Sequence, residues 1–217
     1  MPALFPQRQP ASVAAAWFAS PAGQALLASE STALQAALAE RPAPPWLWLQ
    51  PLASGAAGPA RGVRLAVSGD GWEGDLRCSD PLPFCSESLG TVVLQHVGDL
   101  PLDVHGLLDE CARVLVPGGC AWLFALNPLS PYRRHWYGSG LASSEPLTWR
   151  RRMRAVGLDP EPVSTGLGPR WSVTQVAARQ DGPGLRAAWM LRARKRVAAV
   201  VPPTPVTALR WQPGMPA

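Results

Sequence analysis

The sequence predicts an α/β fold with three layers, in which helices flank a mostly parallel sheet of seven strands. Three observations lead there. "TVVLQHV", Thr91 to Val97, has the β-branched, doubly apolar character of a strand buried on both faces. "DVHGLLDECARVL" follows with Leu107, Leu108, Cys111 and Leu115 on one helical stripe, Asp103 as a candidate N-cap, and "PGG" as a stop. "CAWLFALN", Cys120 to Asn127, is a second apolar strand, so the unit reads as a right-handed strand–helix–strand crossover.

Upstream, "SPAGQALLASESTALQAALAER" predicts a helix capped by Ser20, with Pro21 at its first position and Leu27, Leu34 and Leu38 along one stripe. "RPAPP" ends it, and "WLWLQPL" is too short for a second helix, which makes it a central strand. "RGVRLAVSG", Arg61 to Gly69, is a second strand and "GDLRC" a weaker third. Downstream, "EPLTWRRRMRAVG" predicts a helix with Trp149, Met153 and Val156 on its apolar side and Gly157 at its end. Final strands are expected around Val173 and in "AAWMLRARKRVAAVV". The chain divides into a lead over residues 1–16, one domain over 17–201 and a proline-rich tail over 202–217, expected to be mobile.

Composition narrows the function. A net charge of +5 and a pI near 9.6 invite a nucleic-acid reading, but Lys195 is the only lysine. An arginine, alanine, proline and glycine bias is as readily a coding bias, so nucleic acid is the minority partner class. Cys78, Cys85, Cys111 and Cys120 form no C-x-x-C pair and have no histidine at metal-ligand spacing, and they read as reduced core thiols with no metal. No segment has the roughly 18 apolar residues of a membrane span, and the first residues lack a leader pattern, so the expected location is the cytoplasm.

The block "LPFCSESLGTVVLQHVGDL…LLDECARVLVPGGCAWLFALNP" resembles the second half of the class I S-adenosylmethionine-dependent methyltransferases, in their type 11 branch. Leu82-Pro83-Phe84 stands for the family's "LPF", His96 to Asp99 for its "H-x-x-E", and Arg113 to Gly119 for its "RVLxPGG". "WFASPAGQALLASE", "FALNPLS" and "RARKR" match further marks of one bacterial subgroup. The resemblance covers most of the chain from Trp17 to Val197 and implies a Rossmann-like methyltransferase fold.

It also implies a cofactor site outside the carboxyl ends of the strands, and there the family pattern is eroded. The first turn reads Gln50, Pro51, Leu52, Ala53, Ser54, Gly55, with only Gly55 and Gly58 to serve as its glycines. Asp70 is available as the ribose-binding acid if the second strand stops at Gly69, with the other acids of "GDGWEGD" as alternatives. Cys78, four positions before Leu82, occupies the place of the adenine-contacting acid, with Asp80 close but out of register. Losing two charge-assisted hydrogen bonds of about 1.5 to 3 kcal/mol each would weaken binding by about two to four orders of magnitude.

The implied cofactor set is therefore Gln50, Ser54, Gly55, Asp70, Cys78, Gln95 and His96, with Asn127 and Tyr132 toward the substrate. Structural roles compete with these: a capping role for His96, a turn at Asn127-Pro128, and an aromatic-stabilised loop rather than a lid from Tyr132 to Trp136. His105 and His135 read as surface residues. No catalytic triad or P-loop is present, which methyl transfer by proximity and orientation does not require. The expected function is an S-adenosylmethionine-dependent methyltransferase with weakened cofactor binding and an unnamed acceptor. The alternatives are a non-catalytic methyltransferase-like subunit that binds a protein partner, and an RNA- or DNA-binding module.

Overall fold

The computed structural model describes residues 10–41, 43–53, 61–69 and 71–197. A short helix α1 (Ala11–Ala15) runs through a 3-10 turn (Ala16–Ala19) into α2 (Pro21–Ala39). Ser20 caps α2 as expected, its hydroxyl accepting from the Gly23 N–H at 3.1 Å. Strands β1 (Trp46–Gln50), β2 (Gly62–Ser68), β3 (Gly71–Gly74), β4 (Arg77–Cys78) and β5 (Leu89–Gln95) follow. Then come α3 (Val104–Val114), β6 (Leu115–Leu126), α4 (Pro146–Ala155), β7 (Leu158–Pro160), β8 (Thr165–Leu167), β9 (Gln180–Asp181) and β10 (Ala188–Lys195).

The strands form one 10-stranded sheet in the order β4-β3-β2-β1-β5-β6-β10-β8-β9, with β7 also paired to β10. Its centre is parallel: β1 pairs with β2 and β5, and β5 with β6. The crossover read from the sequence is β5–α3–β6, and its two strands are neighbours. β5 is buried along its whole length. Asp103 caps α3 by accepting from the His105 N–H at 3.1 Å.

Alternation along the strands builds two apolar layers. Leu47, Leu49, Val92, Leu94, Ala121, Leu123, Trp189 and Leu191 face α3 and α4, where Leu107, Leu108, Cys111, Trp149 and Met153 meet them. Trp46, Val93, Phe124 and Met190 face α2, where Ala33, Leu34, Ala37 and Leu38 meet them. Helices thus lie on both faces, and the α/β, three-layer architecture holds.

Several details differ from the sequence reading. The sheet has ten strands among the described residues rather than seven because its flanks include very short antiparallel pieces, too short to leave a periodic signal. "GDLRC" is the end of such a meander, with β3 antiparallel to both β2 and β4. Val173 is in no strand; it is exposed in an irregular segment. On α2 it is Leu26, not the half-buried Leu27, that is fully buried. "PGG" ends α3 but lies inside β6, where the pairing with β5 shifts register between Leu89 and Thr91.

α1, ahead of the boundary drawn at Trp17, packs Ala14 and Ala15 against Leu100. The proline-rich tail lies outside the described residues. Only Cys111 and Cys120 are core thiols; Cys85 is exposed and Cys78 half-buried, and all four are free. Among the described residues no helix is long and apolar enough to cross a membrane, and no group of side chains could hold a metal ion.

The 3-10 turn crosses α2 so closely that a Cβ at Gly23 would lie 2.4 Å from the Phe18 Cα and 2.6 Å from the Trp17 carbonyl oxygen. Gly23→Ala, which helix propensity alone would favour by up to about 1 kcal/mol, is expected to destabilise by about 1 to 3 kcal/mol through overpacking. Urea unfolding gives the sign directly.

Candidate functional site

The chain leaves β1 toward β2 on one side and β5 toward β6 on the other, so the topological switch lies between the carboxyl ends of β1 and β5. Gln50 and Gln95 stand at those ends, both buried. The next residue, His96, turns sharply off the strand in the left-handed region, with φ 55°. Its N–H still donates to the Phe124 carbonyl, which extends the β5–β6 ladder by one bond.

That turn drives the imidazole into the protein between two carboxylates. Nε2 lies 2.9 Å from Glu30 Oε1 on α2, and Nδ1 lies 2.9 Å from Asp99 Oδ2. All three side chains have 0% exposure. Glu30 Oε2 accepts from Gln95 Nε2 at 2.9 Å, and Gln95 Oε1 accepts from Trp48 Nε1 at 3.1 Å. Asp99 Oδ2 also accepts from the Leu126 N–H at 2.8 Å, while Oδ1 has no partner. Phe18 covers the imidazole with ring centroids 4.7 Å apart.

Burial opposes charge on His96, but the flanking Glu30 and Asp99 outweigh it and lift its pKa from 6.5 to about 9. His96 is an imidazolium at neutral pH and donates to both acids. Burial likewise raises the Asp99 pKa, and the imidazolium only partly offsets this. None of the three groups meets solvent, so they form a lock rather than an acid or base for a ligand.

Beside this lock a cavity of about 360 Å³ opens between α2 and the end of β1. Gln24, Leu27, Ser31 and Gln35 form its α2 wall, and Trp48, Gln50, Pro51 to Ala53 and Gln95 the opposite one. The structure therefore brings Gln50 and Gln95 together at one cavity, as the strand-end rule requires. Ser54, Gly55 and Asp70 lie outside the described residues.

His96 is not on the cavity rim, because Glu30 and Phe18 seal it. Asn127 is not there either: its amide donates to the Gly184 and Arg186 carbonyls, both at 2.9 Å, and it borders a different cavity. Tyr132 is fully buried with its hydroxyl donating to the Ala22 carbonyl at 3.0 Å, which makes it a clamp on α2 rather than a lid. Cys78 sits on β4, three strands from β1 and about 14 Å across the sheet, and does not reach the cavity.

The residues that sequence reasoning missed are Phe18, Glu30, Trp48 and Asp99. Glu30 carried a signal, since it is an acid four residues from Leu26 and from Leu34 on the apolar stripe of α2. Asp99 closes the "H-x-x-D" spacing already singled out.

No family model matches the sequence, and no curated protein shows significant similarity to it. Solved structures do match in fold. A SAM-dependent methyltransferase of Thermotoga maritima superposes with a TM-score of 0.58 at 15% identity, covering 80% of this chain and 92% of that one. A chain from the Haloferax volcanii complex of the Trm112 methyltransferase activator gives 0.52 at 15% identity, covering 85% and 98%. A SAM-dependent methyltransferase of Archaeoglobus fulgidus gives 0.51 at 10% identity, covering 76% and 91%. The chain thus has the fold of the class I S-adenosylmethionine-dependent methyltransferases.

Removing the negative end of the lock leaves the imidazolium half-paired. Glu30→Gln is expected to cost about 3 to 5 kcal/mol in urea unfolding at pH 7. His96 titrates higher in the folded than in the unfolded chain, so its contribution is complete below pH 6.5 and is lost as pH rises toward about 9. The urea midpoint of the native chain should fall across that interval, and Glu30→Gln should flatten the fall.

Proposed function

We propose that this chain is a cytoplasmic S-adenosylmethionine-dependent methyltransferase with weakened cofactor affinity, its cofactor taken in the cavity between α2 and the end of β1. The observation that carries this is the cavity's place: it touches the ends of both strands that flank the topological switch, Gln50 and Gln95, and the first-turn residues Pro51 to Ala53. Its volume lies within the range of small-molecule sites, about 300 to 1,000 Å³. The four free thiols accord with a reducing compartment.

The residues fit such a cofactor in shape and are thin in charge. Trp48 offers an aromatic wall, while the α2 side offers the side chains of Gln24, Ser31 and Gln35. No ionisable side chain is among the described lining residues. The nearest is Glu30 behind Gln95, which polarises the Gln95 amide through its hydrogen bond and favours a positively charged ligand in front of it. The bound cofactor supplies an electrophilic methyl group. The chain's own part is to orient: Glu30 fixes Gln95, and Gln95 fixes Trp48.

A second reading, a non-catalytic subunit that binds a protein partner, is favoured by one observation. Each acid and base at the switch point, Glu30, His96 and Asp99, is turned inward and bonded within the protein, Asp99 through Oδ2 alone. The structural match to a chain from a complex with a methyltransferase activator supports a protein partner in either reading.

Calorimetric titration with S-adenosylmethionine and S-adenosylhomocysteine separates the two. The expected result is saturable binding with a dissociation constant of about 0.1 to 1 mM. Ser31→Trp, which fills the cavity from an exposed position on α2, should remove it. Cys78→Asp, placed three strands away, should leave it unchanged. A folded native chain that takes up neither compound would leave the second reading.

A further inference from the structure

A second cavity, of about 380 Å³, opens beyond the carboxyl end of β6, between the start of α4 and the turns at Pro162 to Ser164 and Gly182-Pro183. Its walls are aliphatic: Leu129, Leu147 and Val163 with Pro146, Pro162 and Pro183. Leu129, Leu147 and Val163 are 65%, 50% and 55% exposed, so three large apolar side chains gather at one concave mouth instead of scattering over the surface.

One cation borders this apolar space. Arg150, half-buried on α4, donates its Nε to the Glu161 carbonyl at 2.9 Å, and its two terminal nitrogens meet no carboxylate among the described residues. Burial and the neighbouring Arg154 both act to lower its pKa. A guanidinium held by its Nε, with its terminal nitrogens unengaged, presents the paired donors that fit a carboxylate. Glu145, the only acid on the lining, is exposed at the mouth. It disfavours a ligand carrying more than one negative charge. The Asn127 amide is already committed to backbone carbonyls and adds no free donor.

We propose that this cavity is a binding site for an amphiphilic monocarboxylate, with an aliphatic chain lying among Leu129, Leu147 and Val163 and its carboxylate on Arg150. It shares no lining residue with the cavity at Gln50 and Gln95, so it stands apart from the methyltransferase reading and is tested without any activity.

The test titrates octanoate into the full chain, followed by methyl resonances of Leu129, Leu147 and Val163, with acetate and 1-octanol as controls. Saturable octanoate binding that shifts these methyls is expected, with acetate silent and octanol at least tenfold weaker. Arg150→Gln should weaken octanoate about tenfold or more and bring it level with octanol. Leu147→Asp, at an exposed position, should remove binding with the far-UV spectrum and urea midpoint retained. Equal binding of octanol and octanoate, indifference to Arg150→Gln in a folded variant, or no shift at the three methyl-bearing residues overturns the proposal.

Discussion

The hydrogen-bonded chain Glu30–His96–Asp99 is the constraint around which the carboxyl edge of the sheet is arranged. It joins three pieces of chain: α2 through Glu30, the end of β5 through His96, and the end of β6 through the Leu126 N–H on Asp99. Burying two carboxylates and an imidazolium is expensive, and each survives only because the others are in contact with it. The left-handed backbone at His96 adds a cost of about 1 to 2 kcal/mol. That strain is explained by where it sends the ring: a residue continuing the extended strand would not turn between Glu30 and Asp99.

The same chain determines what the neighbouring cavity can do. Gln95 has both ends of its amide engaged inside the protein, Nε2 with Glu30 and Oε1 with Trp48, and therefore reaches the cavity in a fixed orientation. The ionisable groups at the switch point are bonded to one another and enclosed before any ligand arrives. Chemistry that needs a general base there is disfavoured; chemistry that needs only alignment is not. Methyl transfer by proximity belongs to the second kind.

Most of the central fold was legible because its signals are periodic. β5, α3 and β6 show double-sided burial and a helical stripe, and the motif around them proves to be one packed unit. Arg113 donates to the carbonyls of Leu82 and Phe84 while Glu110 accepts from the Leu82 N–H, so "LPF" and "ECARVL" bind each other. "RARKR" is likewise structural: Arg192 pairs with Glu40 and with Glu161, and Lys195 with Glu87. What could not be read was pairing across long separations. Glu30 and His96 stand 66 residues apart, and neither position alone tells that the other will meet it. Cys78 lies on β4 with β3 between it and β2, an antiparallel meander that a count of residues does not reveal.

The cavity at Gln50 and Gln95 follows from how far α2 reaches across the sheet. α2 covers β1, β5, β6 and β10 through Leu34, Leu38 and their alanine neighbours, packed on Trp46, Val93, Phe124 and Met190. On the same face β2 meets that layer differently: a Cβ at Gly62 would lie 2.0 Å from the Trp46 ring, so the indole itself extends over the next strand. Further along, Arg64 is held by Asp75 at 3.1 Å instead of by an apolar partner. The edge of α2 that faces this side accordingly carries Gln24, Ser31 and Gln35 beside Leu27, a polar rim where a buried helix pair would need apolar residues. The opening beside β1 is thus written into the composition of α2 as much as into the strand ends, and a ligand there would be held by a helix edge that the rest of the fold leaves polar.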